Sequence, residues 1–244
     1  MPAPLETDDR SPSPQALAAR YGGAMTVVAA FTLLVELGVY WLGLYSGAGP
    51  RDSFLAALGS MTVWVALASP ALASGAAAHG PAGASIVSLI VLCFVSKYLT
   101  AEAAARIACI LAGMSLAASS AVRCAKSPTG RLAAGAMWAL VMMLALATPF
   151  WTGSLLQTFG RFCPALVAGA VYANPYLCVT AAVVDQTRFV WHSSGFLYDW
   201  STLRDAAPPA ILWYPSSLMC LAAAGGFELV AALRRKRPGP KRLS

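Results

Sequence analysis

Few side chains in this sequence could do chemistry, and their setting decides what they could do. Glu36 lies near the middle of an apolar run, about Ala24 to Tyr45. An ionised group at membrane depth costs a few kcal/mol, so an acid there faces a bundle interior or a cavity. It reads as a proton or cation site, or as a hydrogen-bonded acid that fixes packing. No second acid sits at a comparable depth, so Glu36 looks nearly isolated and both readings stay open.

A second group falls in the stretch 161–214, where the apolar pattern breaks at Asn174-Pro175 and then turns polar and aromatic. Asn174 is the only Asn in the chain. Downstream come Asp185, Arg188, His192, Asp199, Arg204 and Asp205. Asp185, Arg188 and His192 would share one face of a helix. They could form a hydrogen-bonded site. They could equally be the wet face of an interfacial helix, with Phe189, Val190, Trp191 and Phe196 toward lipid. The candidate pathway or site residues are therefore Glu36, Asn174, Asp185, Arg188, His192, Asp199 and Arg204. His79 stands in a small-residue loop with no set of metal ligands around it, so no metal is expected.

Absent patterns narrow the chemistry. There is no GxxxxGK[ST], so no phosphate-binding loop for ATP hydrolysis. There is no HExxH, GxSxG or CxxCH either. The six Cys (Cys93, Cys109, Cys124, Cys163, Cys178, Cys220) form no CxxC and lie in or beside apolar segments. They read as small buried apolar residues. No cofactor is implied, and the chain is not expected to be an enzyme.

The elements that must position these groups are apolar helices. The chain has 244 residues, 58% hydrophobic and 11% charged, with mean hydropathy +0.65. Soluble domains carry about 25% charged residues. That deficit, with several apolar runs of about 20 residues, indicates an all-α polytopic bundle in a lipid bilayer. Residues 1–22 read as a disordered polar tail, 23–233 as the transmembrane domain and 234–244 as a basic tail. The acidic, Pro-rich start lacks the basic-then-apolar order of a signal peptide.

Six spans are expected, near 24–45, 54–74, 84–99, 101–123, 132–151 and 209–233. Pro70 should kink or end the second. Lys97 falls in the last turn of the third, where it can snorkel. Thr100 should cap the fourth, with Glu102 and Arg106 paired four apart. Glu228, close to the basic tail, should form a structural ion pair. Between the fifth and sixth spans, 163–184 is long enough to cross, but Asn174-Pro175 divides it into pieces of roughly ten residues. Ten residues rise only about 15 Å, half the hydrocarbon thickness. A broken or re-entrant helical pair is expected there, with a seventh full crossing as the alternative. Six crossings place eleven of the seventeen Lys and Arg inside, and seven crossings place ten.

The net charge of +7 is concentrated at the end of the chain. Arg234, Arg235, Lys236 and Arg237 follow an apolar helix and read as a cytoplasmic or lipid-headgroup anchor. No folded basic surface accompanies them, so nucleic acid is not an expected partner.

Two features then suggest a family. The order of elements is five spans, a broken pair of short helices and a last span. The segment AxxxANPYLCVTAAVVD is followed by FLYDWSTLRD and WYPSSLM. Together these resemble the six-helix permease subunits of ATP-binding-cassette exporters. The likeness covers the last third of the chain and its architecture. It implies a separate ATPase subunit, assembly as a homodimer or heteromer, and a multi-pass location in a bacterial inner membrane. It carries no functional residue across. The sequence also admits an accessory or scaffold subunit, or a membrane enzyme using the 185–205 cluster. The scarcity of intramembrane charge argues against a self-powered pump.

Overall fold

Eight helices follow one another, and no strand occurs among the described residues. The computed structural model describes residues 14–73, 79–148, 164–187 and 211–236. The helices are α1 (Pro14–Tyr45), α2 (Pro50–Leu72), α3 (Gly80–Val95), α4 (Ala101–Arg123), α5 (Pro128–Leu146), α6 (Pro164–Ala173), α7 (Pro175–Thr187) and α8 (Pro215–Lys236). Seven of the eight begin on proline or have it at their second position. At the first turn its missing N–H costs nothing and its fixed φ suits the helix.

Among the described residues five helices are long and apolar enough to cross a membrane: α1, α2, α4, α5 and α8. α3 has 16 residues, a rise of about 24 Å, which is short of a hydrocarbon core of about 30 Å. It begins at Gly80-Pro81 and ends at Val95, earlier than the hydropathy suggests. Lys97 accordingly sits in the turn beyond it, over the Tyr98 ring at 5.6 Å. α1 has 32 residues and starts at Pro14, so residues 14–22 are helical where a tail was expected. Pro70 lies inside α2 two residues before its end.

Helix directions follow from cross-helix contacts. Gly43 meets Ser53 and Thr32 meets Trp64, so α1 and α2 are antiparallel. Gly80 lies against Val28 and Ser85 against Glu36, so α1 and α3 run the same way. Ser217 bonds the Cys109 carbonyl and Glu228 meets Ser120, so α4 and α8 are parallel. α1 through α5 and then α8 therefore alternate in direction. Arg123, Lys126, Arg131 and Arg234 collect at one end, which we call the basic end. The opposite end carries the Phe54–Tyr98 and Arg106–Trp213 contacts.

Lipid tails supply no hydrophobic force between helices, so close packing of small residues holds such a bundle together. α4 is the central helix, most deeply buried of the five long ones, and its buried face is largely Ala, Gly and Ser. α1, α5 and α8 are peripheral and expose Phe31, Leu34, Leu132, Leu140, Leu229 and Leu233. Gly43 shows what close approach requires. A Cβ there would stand 2.6 Å from the Ser53 Oγ and 3.1 Å from its Cα. At the start of α4, Thr100 Oγ1 accepts from the Ala103 amide at 3.2 Å, the expected cap. Glu102 and Arg106 pair at 2.5 Å. Glu228 meets Arg123 at 2.9 Å and ties α8 to α4, as its position beside the basic tail suggested.

Candidate functional site

Two buried polar nodes stand out from the apolar interior. The first surrounds Glu36, which is fully buried between α1 and α3. The Ser85 hydroxyl donates to Glu36 Oε1. Ser88, one turn on along α3, is buried as well and donates to the Ala84 carbonyl at 3.4 Å. Oε2 has no hydrogen-bond partner among the described residues. One turn toward the basic end, Thr32 Oγ1 accepts from Trp64 Nε1 at 2.8 Å and donates to the Val28 carbonyl at 2.7 Å. Glu36 is therefore not isolated. It belongs to a short polar line made by α1, α2 and α3. The missed signal was the Ser85/Ser88 pair, three apart in an otherwise apolar helix.

The second node is the break between α6 and α7. Asn174 is fully buried. Its Oδ1 accepts from the Tyr176 and Leu177 amides, at 2.9 and 3.1 Å. These are the second and third residues of α7, so Asn174 is its N-cap with Pro175 at the first helical position. Nδ2 donates to the Leu146 carbonyl and to Thr148 Oγ1, both at 3.2 Å. An Asn side chain has two acceptor sites and two donors, and all four are filled. Tyr176, next after the proline, donates its hydroxyl to the Leu55 carbonyl at 3.2 Å. The break is thus tied to the end of α5 and to the start of α2. Val171 and Leu177, on either side of it, are buried in one cluster with Tyr172 and Ile211 against them.

The remaining candidates are distributed differently. The backbone of Asp185 belongs to the last turns of α7, and its side chain lies outside what is described. Arg188, His192, Asp199, Arg204 and Asp205 fall outside the described residues. Arg234 donates to the Cys124 carbonyl at 3.4 Å, which places the first of the expected anchor residues beside the α4–α5 turn. Arg235 and Lys236 continue α8, and Arg237 lies outside the described residues. His79 Nδ1 is 3.1 Å from Ser115 Oγ, a contact between the start of α3 and α4. No group of three or more metal-binding side chains occurs among the described residues. Cys93, Cys109, Cys124, Cys178 and Cys220 are free thiols.

Comparisons with protein families, with curated proteins and with solved structures each find no match to this chain. The apolar helices mark it as a protein of the lipid bilayer.

Proposed function

We propose that the chain is the permease-like membrane subunit of a multicomponent transporter that lacks an ATPase of its own. The observation that carries this reading is the helix break at Asn174-Pro175, buried against α2 and α5 within the bundle. Non-helical backbone at membrane depth is tolerated where protein or a water-lined path satisfies it. Broken helices of this kind frame substrate routes in transporters. On this reading α3 completes six crossings with the five long helices, at about 24 Å by local thinning of the bilayer, and α6 and α7 are an inserted pair. That arrangement brings the start of α1 and the end of α8 to the basic end. By the positive-inside rule this end is cytoplasmic, where a soluble ATPase would dock. The peripheral faces of α5 and α8 leave room for a second copy or a different membrane subunit. A bacterial inner membrane is the location this reading implies.

Purification of the whole chain from its own membranes in mild detergent, with mass spectrometry of whatever comes with it, tests the proposal. A stoichiometric ATPase subunit supports it. Recovery of the chain without any ATPase overturns it.

A second reading, a non-catalytic scaffold of a membrane complex, is favoured by the fully satisfied Asn174, whose hydrogen bonds all serve the fold. The two readings separate at Glu36. A scaffold tolerates Glu36→Gln without loss of complex function, whereas a pathway residue does not.

A further inference from the structure

The basic end carries a groove that neither node uses. It lies between α2 and α5, is floored by Val122 of α4, and encloses about 510 Å³. Small-molecule sites span roughly 300–1,000 Å³. The groove exists because α5 presents Gly135, Ala136 and Ala139 toward α2, while Leu67 and Ala71 form the facing wall. The two helices pinch together at one point, where a Cβ on Gly135 would stand 3.1 Å from the Pro70 carbonyl oxygen. Beyond it the alanines leave the space open.

The lining is apolar apart from one side chain, Arg131, at the end nearest the α4–α5 turn. Its Nε donates to the Ala125 carbonyl at 3.3 Å. That bond steadies the guanidinium and leaves its terminal nitrogens for another acceptor. A guanidinium is a planar fork suited to phosphate oxygens. The surroundings share its sign: Lys126 is exposed in the same turn, and among the described side chains Arg123, Lys126, Arg131 and Arg234 stand at this end with one acid, Glu228.

A long apolar slot closed by a fixed cation at the headgroup level has the shape and charge of an anionic diacyl phospholipid. We propose that this groove is a specific site for one such lipid, with an acyl chain between α2 and α5 and its phosphodiester on Arg131. The site stands whatever the assembly transports. It differs from the basic tail, whose attraction to acidic headgroups needs no slot.

The test uses the full chain, purified in mild detergent, stripped of lipid and titrated with phosphatidylglycerol under native mass spectrometry. Phosphatidylcholine of the same acyl chains and glycerophosphate without chains serve as comparison probes. One phosphatidylglycerol should bind at least tenfold tighter than phosphatidylcholine, and glycerophosphate should not bind. Arg131→Gln, at an exposed position that need not disturb folding, should weaken phosphatidylglycerol at least fivefold. Ala139→Phe, which fills the slot and leaves the cation, should do the same. Lys97→Gln, which removes an exposed charge at the opposite end of the bundle, should change little. Equal affinity for the two lipids overturns the proposal. So does a Lys97→Gln effect as large as that of Arg131→Gln, because attraction would then follow net charge alone.

Discussion

Asn174 and Glu36 are both fully buried, both polar, and both lie where helices meet, yet they are built differently. Every hydrogen-bonding position of Asn174 is filled, and its partners come from α7, the end of α5 and Thr148, two residues past that end. Glu36 has one firm donor, Ser85, and an oxygen with no partner among the described residues. A saturated amide fixes a backbone path, since moving it breaks four bonds at once. An acid with a bare oxygen holds two helices loosely and retains the capacity to accept something else. The difference separates a group that holds the architecture from one that is available to function.

The largest expected effect is at Asn174. Asn174→Ala removes an N-cap, which alone costs about 1 kcal/mol. It also strips a donor from the half-buried Leu146 carbonyl, at roughly 1–3 kcal/mol for a group left unpaired, while the Thr148 hydroxyl keeps its bond to the Ala145 carbonyl. A total loss of about 2–4 kcal/mol is expected in reversible unfolding of the purified protein in mixed micelles. Asn174→Ser keeps a capping oxygen and should recover about 1 kcal/mol of that. If alanine costs under about 0.5 kcal/mol, the break is held by packing and the comparison fails on this side.

Next in size is Ser85→Ala. It deletes the one side-chain donor to Glu36 among the described residues. A cost of about 1–2 kcal/mol is expected, below that at Asn174 because one bond is lost instead of four. An effect equal to Asn174→Ala would mean that Glu36 is as fixed as the amide. Glu36→Gln should change stability by less than about 1 kcal/mol, since it keeps an oxygen for Ser85 and the shape of the side chain. A loss above about 3 kcal/mol would instead reveal a structural charge pair that the described residues do not contain. Measured alongside, function of the assembled complex is the sharper readout for this variant.

How much of this was legible in the sequence follows the same division. The Asn174-Pro175 break was readable because its chemistry is local: the cap, the proline and the helix they start lie within four residues. Thr100, Glu102 and Arg106 were readable for the same reason. What α1 packs against was not. The partners of Glu36 are some fifty residues away on a helix that is not its neighbour in sequence. Nothing in the hydropathy of α3 says that its serines turn toward α1. The start of α3 was misjudged because Gly80 and Pro81 look like loop residues, although proline suits a first turn. The tie between Glu228 and Arg123 was expected only as a pairing with some nearby base, since which helix end lies beside α8 is a matter of topology.

The smallest expected effect tests whether saturation or mere hydrogen bonding sets the scale. Thr32 and Trp64 make a single interhelical bond, one turn along α1 from Glu36 and with no helix break beside it. Thr32→Val keeps the shape of the side chain and leaves the Trp64 indole N–H without its acceptor. Side-chain bonds between membrane helices average about 0.6 kcal/mol and reach at most about 1.7. A loss near 0.6 kcal/mol is therefore expected from the same unfolding measurement. The bond between the valine position and the Val28 carbonyl is lost too, but that carbonyl remains within the ladder of α1. Should Thr32→Val cost as much as Asn174→Ala, one ordinary bond would be worth four. The contrast between the filled and the unfilled node would then have no energetic meaning.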